Sequence, residues 1–303
     1  MGSTFTYAEE KNLTDLRATT LRKLRVSNTS RYSTDSSTAD YAWIDEALNK
    51  ALQIFVRETK CLRSWAAYVP IANYQYYRLP ADFLDLKTAY YYDDSLSDGY
   101  KLLIPKTLGE MNDEYSDWRT DTGSPSYIFI DRMFGRRWFM GIVPIPSDAG
   151  TTVTFDSTYG CKLSEICNLY LYNEERIELP QTDEYFVGNS ELTPGMPFDN
   201  VNKDIVLEYY RMARELDTTL QVPEIPREYH DCLTDYACFD LLQHNPEDAA
   251  EYKRAMDFRQ RFKAEIDSFR GQRDDKQLRG KELKARAGVQ TWYRGMSWYN
   301  GIV

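Results

Sequence analysis

Apolar residues recur at three- and four-residue spacing in separate stretches of the chain, and this period predicts amphipathic helices. The predicted helices cover residues 8–25, 40–61, 226–244 and 247–270. Pro226 suits the first turn of the third helix, where a missing N–H costs nothing, and Asn245-Pro246 ends that helix. The last two predicted helices form a hairpin, which we expect to pack against the first helix.

A different pattern fills residues 68–160, where short stretches of β-forming residues are separated by Gly, Pro and Asp. Short, regularly spaced strands predict an antiparallel sandwich or barrel rather than βαβ units. Residues 107–123 interrupt them with a short helix and a loop, and residues 204–212 form a last strand. The segment 161–203 is predicted to be an insertion, with candidate strands at 169–172 and 176–180.

Together these patterns predict an α+β fold. It consists of a helical bundle of N- and C-terminal helices, an inserted antiparallel β-sandwich or barrel-like domain, and an extended C-terminal arm. The predicted parts are an N-terminal helical part (1–66), the β domain with its insertion (67–212), a helical hairpin that completes the bundle (213–270) and the arm (271–303).

The net charge of −10 is divided unevenly along the chain, which distinguishes the C-terminal segment from the rest. Residues 270–303 carry eight Lys and Arg against three Asp and Glu, a net +5, which leaves −15 on the rest. An acidic body is a poor match for DNA phosphates and suits a surface that nucleic acid slides past without sticking. The sequence has no apolar run of membrane-spanning length and no apolar signal region at its N-terminus. We therefore expect no membrane association, and assembly in a cytoplasm.

The predicted arm combines positive charge with aromatic rings. Its apolar residues follow no helical or strand period, so the sequence predicts either a disordered segment or an arm that docks on another subunit, and we favour an arm held by a partner protein. Aromatic side chains are favoured anchors of protein interfaces. The candidate partner-binding residues are Arg279, Lys281, Lys284, Arg286, Trp292, Tyr293, Arg294, Trp298 and Tyr299.

Reactive side chains are few, and we expect neither an enzyme nor a bound cofactor or metal. The chain has two histidines, and His230 is predicted to serve packing at a helix start, while His244 ends a helix. The five cysteines form no C-x-x-C pair and are predicted to be reduced and mostly buried. The glycine motifs that bind phosphate and the H-E-x-x-H motif of zinc proteases do not occur in the sequence.

Short motifs in helices, turns and strand ends follow one another in a particular order. They are Trp43–Ala51, Tyr77–Leu84, Thr122–Tyr127, Ile142–Pro146, Leu207–Tyr210 and Val222–Leu233. In this order the chain resembles the head-to-tail adaptor proteins of tailed phages, also called connector or portal-ring proteins, over about residues 40–265. The insertion 161–203 and the long arm are additions to the pattern of that family.

The resemblance implies a structural protein of the virion, located at the neck between head and tail. It implies a ring, usually a dodecamer, that binds beneath the portal protein and contacts a downstream tail, nozzle or further ring protein. The ring would form part of the channel used in DNA ejection, and double-stranded DNA would pass through its lumen without specific binding. The basic, aromatic arm would anchor on an acidic surface of the portal.

Two other functions also fit the sequence. A carbohydrate-active tail component would need two carboxylates at glycosidase separation, with candidates in residues 82–86, 90–94 and Glu174-Glu175. A sugar- or receptor-binding sandwich would use exposed tyrosines of the runs at 74–77 and 90–92. The same tyrosines are alternatively predicted to place one face in a core and the other in a subunit interface, where tyrosine is enriched.

Overall fold

The computed structural model describes residues 10–25, 41–133, 137–150, 154–155, 167–170, 176–177, 198–199, 201–244 and 249–293. Within these ranges lie five α-helices: α1 (Leu13–Leu24), α2 (Ala42–Thr59), α3 (Leu108–Glu114), α4 (His230–His244) and α5 (Ala249–Tyr293). The chain divides into two compact units. Residues 1–59 and 214–303 form a helical unit, and residues 60–213 form a sheet unit that is inserted into it along the chain.

Local sequence signals account for the start of α1 and its contact with α2. The Asn12 side chain accepts a hydrogen bond from the Asp15 N–H at 3.0 Å, and Asp15 accepts one from the Asn12 N–H at 3.2 Å. This reciprocal capping box satisfies N–H groups that the first helical turn leaves free. Arg17 on α1 then donates to both carboxylate oxygens of Asp45 on α2, at 2.7 and 2.5 Å.

Helix α4 is the centre of the helical unit. It contacts α1, α2 and α5, and almost all of its side chains are buried. Two carboxylates are buried with them, Asp235 and Asp240, each only 9% exposed. Lys23 from α1 pairs with Asp235 and Lys50 from α2 pairs with Asp240, both at 2.6 Å. Because a buried carboxylate without a cation is costly, these two ion pairs fix α1 and α2 to α4.

The described part of the sheet unit contains short strands in four sheets. The strands are β1 (Arg63–Tyr68), β2 (Tyr76–Arg78), β3 (Phe83–Tyr92), β4 (Tyr100–Leu102), β5 (Ile104–Pro105), β6 (Thr122–Gly123), β7 (Tyr127–Met133), β8 (Arg137–Val143), β9 (Ile145–Pro146), β10 (Thr154–Phe155), β11 (Cys167–Tyr170), β12 (Arg176–Ile177), β13 (Phe198–Asp199) and β14 (Ile205–Arg211). The largest sheet has the order β12-β11-β1-β14-β3-β4 and the next has the order β2-β8-β7-β5, while β10-β13 and β6-β9 form two-stranded sheets. Most pairings are antiparallel; β1 with β11, β5 with β7, and β6 with β9 are parallel.

Tyrosines supply much of the core of the sheet unit. Tyr68, Tyr77, Tyr91 and Tyr209 are buried, and Tyr90 and Tyr92 on β3 are half-buried. Buried phenols need hydrogen-bond partners. The Tyr68 O–H donates to the carbonyl of Arg78, and the Tyr209 O–H to Asp82, both at 3.0 Å. The prediction that one face of the tyrosine runs lies in a core is confirmed for Tyr77 and Tyr91; their role in a subunit interface stays a prediction.

The predicted α+β class is confirmed, and none of the sheets formed by the described strands closes into a barrel. The prediction of an extended arm from residue 271 is wrong up to Tyr293, because α5 continues to that residue. Lys, Arg, Gln, Leu and Ala, which dominate this stretch, favour a helix without an apolar stripe. The units divide at 59/60 and 213/214, whereas the sequence places the corresponding boundaries at 66/67 and 212/213.

Part of the predicted insertion belongs to the largest sheet. Strand β11 pairs in parallel with β1, with Cys167 opposite Trp65, and β12 pairs antiparallel with β11. These strands overlap the two candidate strands that the sequence places in residues 161–203. The rest of that segment lies outside the described residues, except for β13 and residues 201–203.

Gly141 on β8 lies directly opposite Phe129 on β7, and a Cβ at this position would overlap the Phe129 ring. We expect Gly141→Ala to lower the free energy of unfolding by about 1–3 kcal/mol, since the ring and its neighbour Trp118 must shift. Trp118 is fully buried with its ring 5.3 Å from that of Phe129, so its fluorescence follows unfolding in urea.

Gly109 on α3 is the matched control for Gly141. The nearest atom to an added Cβ there is Thr107 Oγ1 at 3.8 Å, an ordinary contact. Gly109→Ala should therefore gain up to about 1 kcal/mol from helix propensity. An alanine at 141 that left the unfolding midpoint unchanged would contradict the close packing of β7 on β8.

Candidate partner-binding surfaces

Helix α5 begins as a packed helix of the helical unit. Its buried residues recur at three- and four-residue spacing: Ala255, Phe258, Phe262 and Ile266. Phe269 ends this stripe, with its ring centroid 5.8 Å from that of Phe55 and 5.3 Å from that of Tyr229. Arg270 then donates from Nε and Nη2 to the carbonyl oxygen of Glu58 at 2.9 and 2.7 Å, and so fixes α5 to the carboxyl end of α2.

Beyond Arg270 the helix backbone continues to Tyr293, about 36 Å at 1.5 Å per residue. Six of the predicted partner-binding residues lie on this continuation: Arg279, Lys281, Lys284, Arg286, Trp292 and Tyr293. Arg294, Trp298 and Tyr299 lie outside the described residues. That these residues bind a partner stays a prediction.

His230 lies at the start of α4, where it links the N-terminal segment to the C-terminal helices. The backbone N–H of Lys11 donates to Nδ1 at 3.2 Å, so the ring proton is on Nε2, which donates to the carbonyl of Ile225 at 3.0 Å. The ring is 1% exposed, and burial lowers the pKa of His230, although its bond to Ile225 and the nearby Glu10 and Asp231 oppose this. The packing role predicted for this histidine at a helix start is confirmed.

The described cysteines and candidate carboxylates have structural surroundings. Cys232 and Cys238 are buried free thiols, and burial raises the pKa of Cys238 to about 12. Cys61 is a half-buried free thiol, and the side chains of Cys161 and Cys167 lie outside the described residues. Of the candidate carboxylates, Asp82 accepts from Tyr209, Asp85 pairs with Lys60, and Asp93 accepts from Ser95. Glu174-Glu175 lies outside the described residues.

The described residues offer neither a metal-binding cluster nor a membrane-spanning helix. Among them, no group of three or more His, Cys, Asp and Glu side chains is placed to hold a metal ion. No helix of the described part is long and apolar enough to cross a membrane.

In the sheet unit, the chain crosses from one large sheet to the other between β4 and β5. The N–H of Leu103 donates to the carbonyl of Ala89 on β3 at 2.9 Å. The N–H of Lys106 donates to the carbonyl of Ile128 on β7, also at 2.9 Å. Next to this crossing lies a slot of about 540 Å³, bounded by residues 85–89 of β3, residues 128–131 of β7 and the start of α3. We call it the β3–β7 slot.

Each wall of the β3–β7 slot has a strand edge that the described strands leave open. Strand β3 pairs with β4 only over Tyr90–Tyr92, and β7 pairs with β5 only over Tyr127–Ile128. Since β4 and β5 are the last strands of their sheets, the part of β3 before Ala89 and the part of β7 after Ile128 are sheet edges. Open edges present backbone N–H and C=O groups to any strand that can reach them.

The lining of the β3–β7 slot is apolar, and its rim continues onto an exposed apolar edge. The apolar lining residues are Leu86, Ala89, Leu102, Leu103, Pro105, Leu108, Ile128 and Ile130. On the rim, Tyr100, Leu102 and Ile104 are 44%, 52% and 51% exposed, which is unusual for three alternate residues of one edge. The flank on α3 is acidic, with the carboxylates of Glu110, Asp113 and Glu114 at the surface.

The sequence patterns alone do not reveal this slot, although residues 99–105 lie in the stretch that they predict to form short strands. Its walls come from stretches about forty residues apart, which only the crossing between sheets brings together. A signal was present in Leu102, Leu103 and Ile104, consecutive apolar residues at the end of a strand, where simple alternation would leave one face polar. Such a run indicates apolar side chains on both faces.

The described features define an α+β protein whose outstanding surfaces are a basic helical extension and an apolar sheet edge, both suited to contacts with other proteins. The sequence model of the SU10 adaptor protein family matches residues 11–281, and the chain therefore belongs to that family. It is a phage structural adaptor, a virion component that contacts other head and tail proteins. The resemblance to phage adaptors is confirmed at this level. Comparison with curated protein sequences gives no match.

The depressed pKa of His230 has a consequence for stability. The unfolded chain takes up a proton at the ordinary value of 6.5, whereas the folded chain resists it, so the stabilising effect is present above pH 6.5 and is lost as the pH falls. We expect the free energy of unfolding to drop below pH 6.5 by up to about 1.4 kcal/mol per pH unit. Urea unfolding between pH 7.5 and 5 measures this slope.

His230→Gln should flatten this slope, even if the variant is less stable at neutral pH. His244→Gln is the control, because it removes the other histidine of the chain. An equally steep slope in His230→Gln would assign the pH dependence to other groups.

Proposed function

We propose that this protein is the head-to-tail adaptor of a tailed phage, a ring of copies at the virion neck that joins the portal to the tail. The observation that carries the proposal is the family match over residues 11–281. We propose a ring of about twelve subunits, as is usual for such adaptors, assembled in the host cytoplasm. On its distal side the ring contacts a tail, nozzle or further ring protein.

The charge distribution supports a place along the DNA path. Outside residues 270–303 the chain carries a net charge of −15. On the sheet unit, Glu110, Asp113, Glu114 and Asp117 are exposed within one short stretch. A lumen lined by such carboxylates repels phosphates, so double-stranded DNA passes without binding during packaging and ejection.

The basic continuation of α5 supports a contact with the portal. Phe269 and Arg270 fix α5 to the helical unit through Tyr229 and Glu58. The charged residues that follow lie on the continuation of this anchored helix. A basic helix recognises an acidic protein surface through charge complementarity, which speeds association and makes it sensitive to salt. The aromatic residues near its end would provide the buried anchors of the interface.

We propose that the protein acts by binding and not by catalysis. The groups best suited to acid–base or nucleophilic chemistry serve the core: His230 is buried and neutral between Lys11 and Ile225, and burial raises the pKa of the Cys232 thiol far above neutrality. A thiol in that state is a poor nucleophile. Of the carboxylates that the carbohydrate-active alternative would use, Asp82 accepts from Tyr209, Asp85 pairs with Lys60 and Asp93 accepts from Ser95, which supports the structural role over that alternative.

Charge reversal on α5 tests the portal contact. We expect Lys281→Glu/Lys284→Glu to weaken binding to the cognate portal protein by at least about tenfold, and wild-type binding to weaken steeply with salt. Surface plasmon resonance on immobilised portal rings at two salt concentrations measures both effects.

The matched control is Lys253→Glu/Lys263→Glu, which makes the same charge change at exposed positions on the packed part of the same helix. This control should bind like the wild type at equal ionic strength. Equal weakening by both double variants would show that only net charge matters, and unaffected binding by both would remove the helix from the portal contact.

A further inference from the structure

We propose that the β3–β7 slot binds the last ten residues of a second copy of this chain, residues 294–303, as an added β-strand. The inference rests on the proposed ring, because it supplies a contact between neighbouring subunits. It also makes a separate statement, since a ring could form without this contact.

The two open strand edges determine what kind of segment fits the slot. Ala89 accepts a hydrogen bond from Leu103, and before Tyr90 the same side of β3 is paired with none of the described strands, so that edge of β3 is open. On the opposite wall Ile128 accepts from Lys106, and the strand period of two directs Ile130 to the open edge of β7. An extended peptide satisfies such edges with backbone hydrogen bonds, whereas a helix cannot.

The side chains of the slot favour an apolar strand with a positive end. Eight of the fifteen residues that line the slot are apolar, and three of its charged residues are paired within the sheet unit: Lys87 with Glu208 at 2.5 Å, Lys106 with Glu114, and Asp85 with Lys60. Its acidic flank on α3, with Glu110 and Asp113 exposed, therefore attracts a cationic segment.

The end of the chain has this chemistry. In an extended strand Met296, Trp298 and Ile302 share one face with Arg294 and Asn300, so three apolar side chains of that face match the apolar part of the slot. Arg294 begins the segment, directly after the basic helix, and its positive charge complements the acidic flank. Ten extended residues reach about 33 Å, and the five residues 85–89 of the β3 wall span about 17 Å, so the segment is long enough.

A second copy is the occupant that accounts for all of these features. In a closed ring each subunit offers one surface to the next and receives a different surface from the previous one. An apolar edge with 52% exposed Leu102 at one place and the aromatic segment 294–303 at another are suited to be the two halves of such an interface. A segment of the portal or of the downstream protein is the competing occupant, and the experiment below separates them.

The test is a photo-crosslink from the full-length chain. p-Benzoylphenylalanine replaces Trp298 in protein prepared separately with ¹⁴N and ¹⁵N, and the two are mixed, alone and with the cognate portal protein, before irradiation. We expect mass spectrometry to find links to residues 85–89, 102–108 or 128–131, joining ¹⁴N peptides to ¹⁵N peptides. The same probe at Leu220, which is 79% exposed on the helical unit, should give no link to these residues.

A substitution in the slot completes the test. Leu102→Lys/Ile104→Lys should lower the yield of links between copies by about tenfold or more. The control Leu220→Lys/Val222→Lys introduces the same charges at exposed apolar residues of equal spacing and should leave the yield unchanged.

Each other outcome overturns the inference in a recognisable way. Links confined to one isotope mean that the segment folds back on its own chain. Links to the portal, or to other residues of a neighbouring copy, leave the proposed ring intact and remove the slot as the binding site. If neither a ring nor portal binding is found, the proposed function fails as well.

Discussion

The burial of helix α4 is the constraint on which the helical unit depends. The helix has neighbours from both ends of the chain, α1 and α2 before the sheet unit and α5 after it. Two of its buried carboxylates, Asp235 and Asp240, pair with lysines from α1 and α2. Removing one partner would leave an uncompensated charge in the core, so the N- and C-terminal helices must assemble together. The insertion of a whole sheet unit between them is a consequence of this arrangement.

That arrangement also explains how one chain presents two unlike surfaces. The packed stripe of α5 ends at Phe269 and Arg270, and the same helix then carries basic residues that the core does not need. In the sheet unit, the chain crosses at Leu103 from β4 in one sheet to β5 in the other. Because β4 and β5 are short, parts of β3 and β7 are left as open edges. The elements that carry these two surfaces, α5 and the strands β3 and β7, are each packed over another part of their length. This packing gives both contact surfaces a rigid support.

How much the sequence predicts depends on whether its signals are local. Helices α2 and α4 were predictable because their buried residues recur within a few positions, and the strands because Gly and Pro separate them. The helical extension of α5 has no apolar stripe, so periodicity predicted an arm where composition alone would have favoured a helix. The β3–β7 slot depends on pairing between Leu103 and Ala89 and between Lys106 and Ile128, and no local pattern encodes such partners.

The pairing of β1 with β14 has a consequence for how such proteins diversify. Arg63 lies opposite Tyr210, so the entry and exit points of the sheet unit are neighbouring backbones about 5 Å apart. A segment whose ends lie that close can be exchanged for another without stretching the helices that flank it. The sheet unit is thus an exchangeable insertion: a relative could carry a different sheet unit while keeping the same helices.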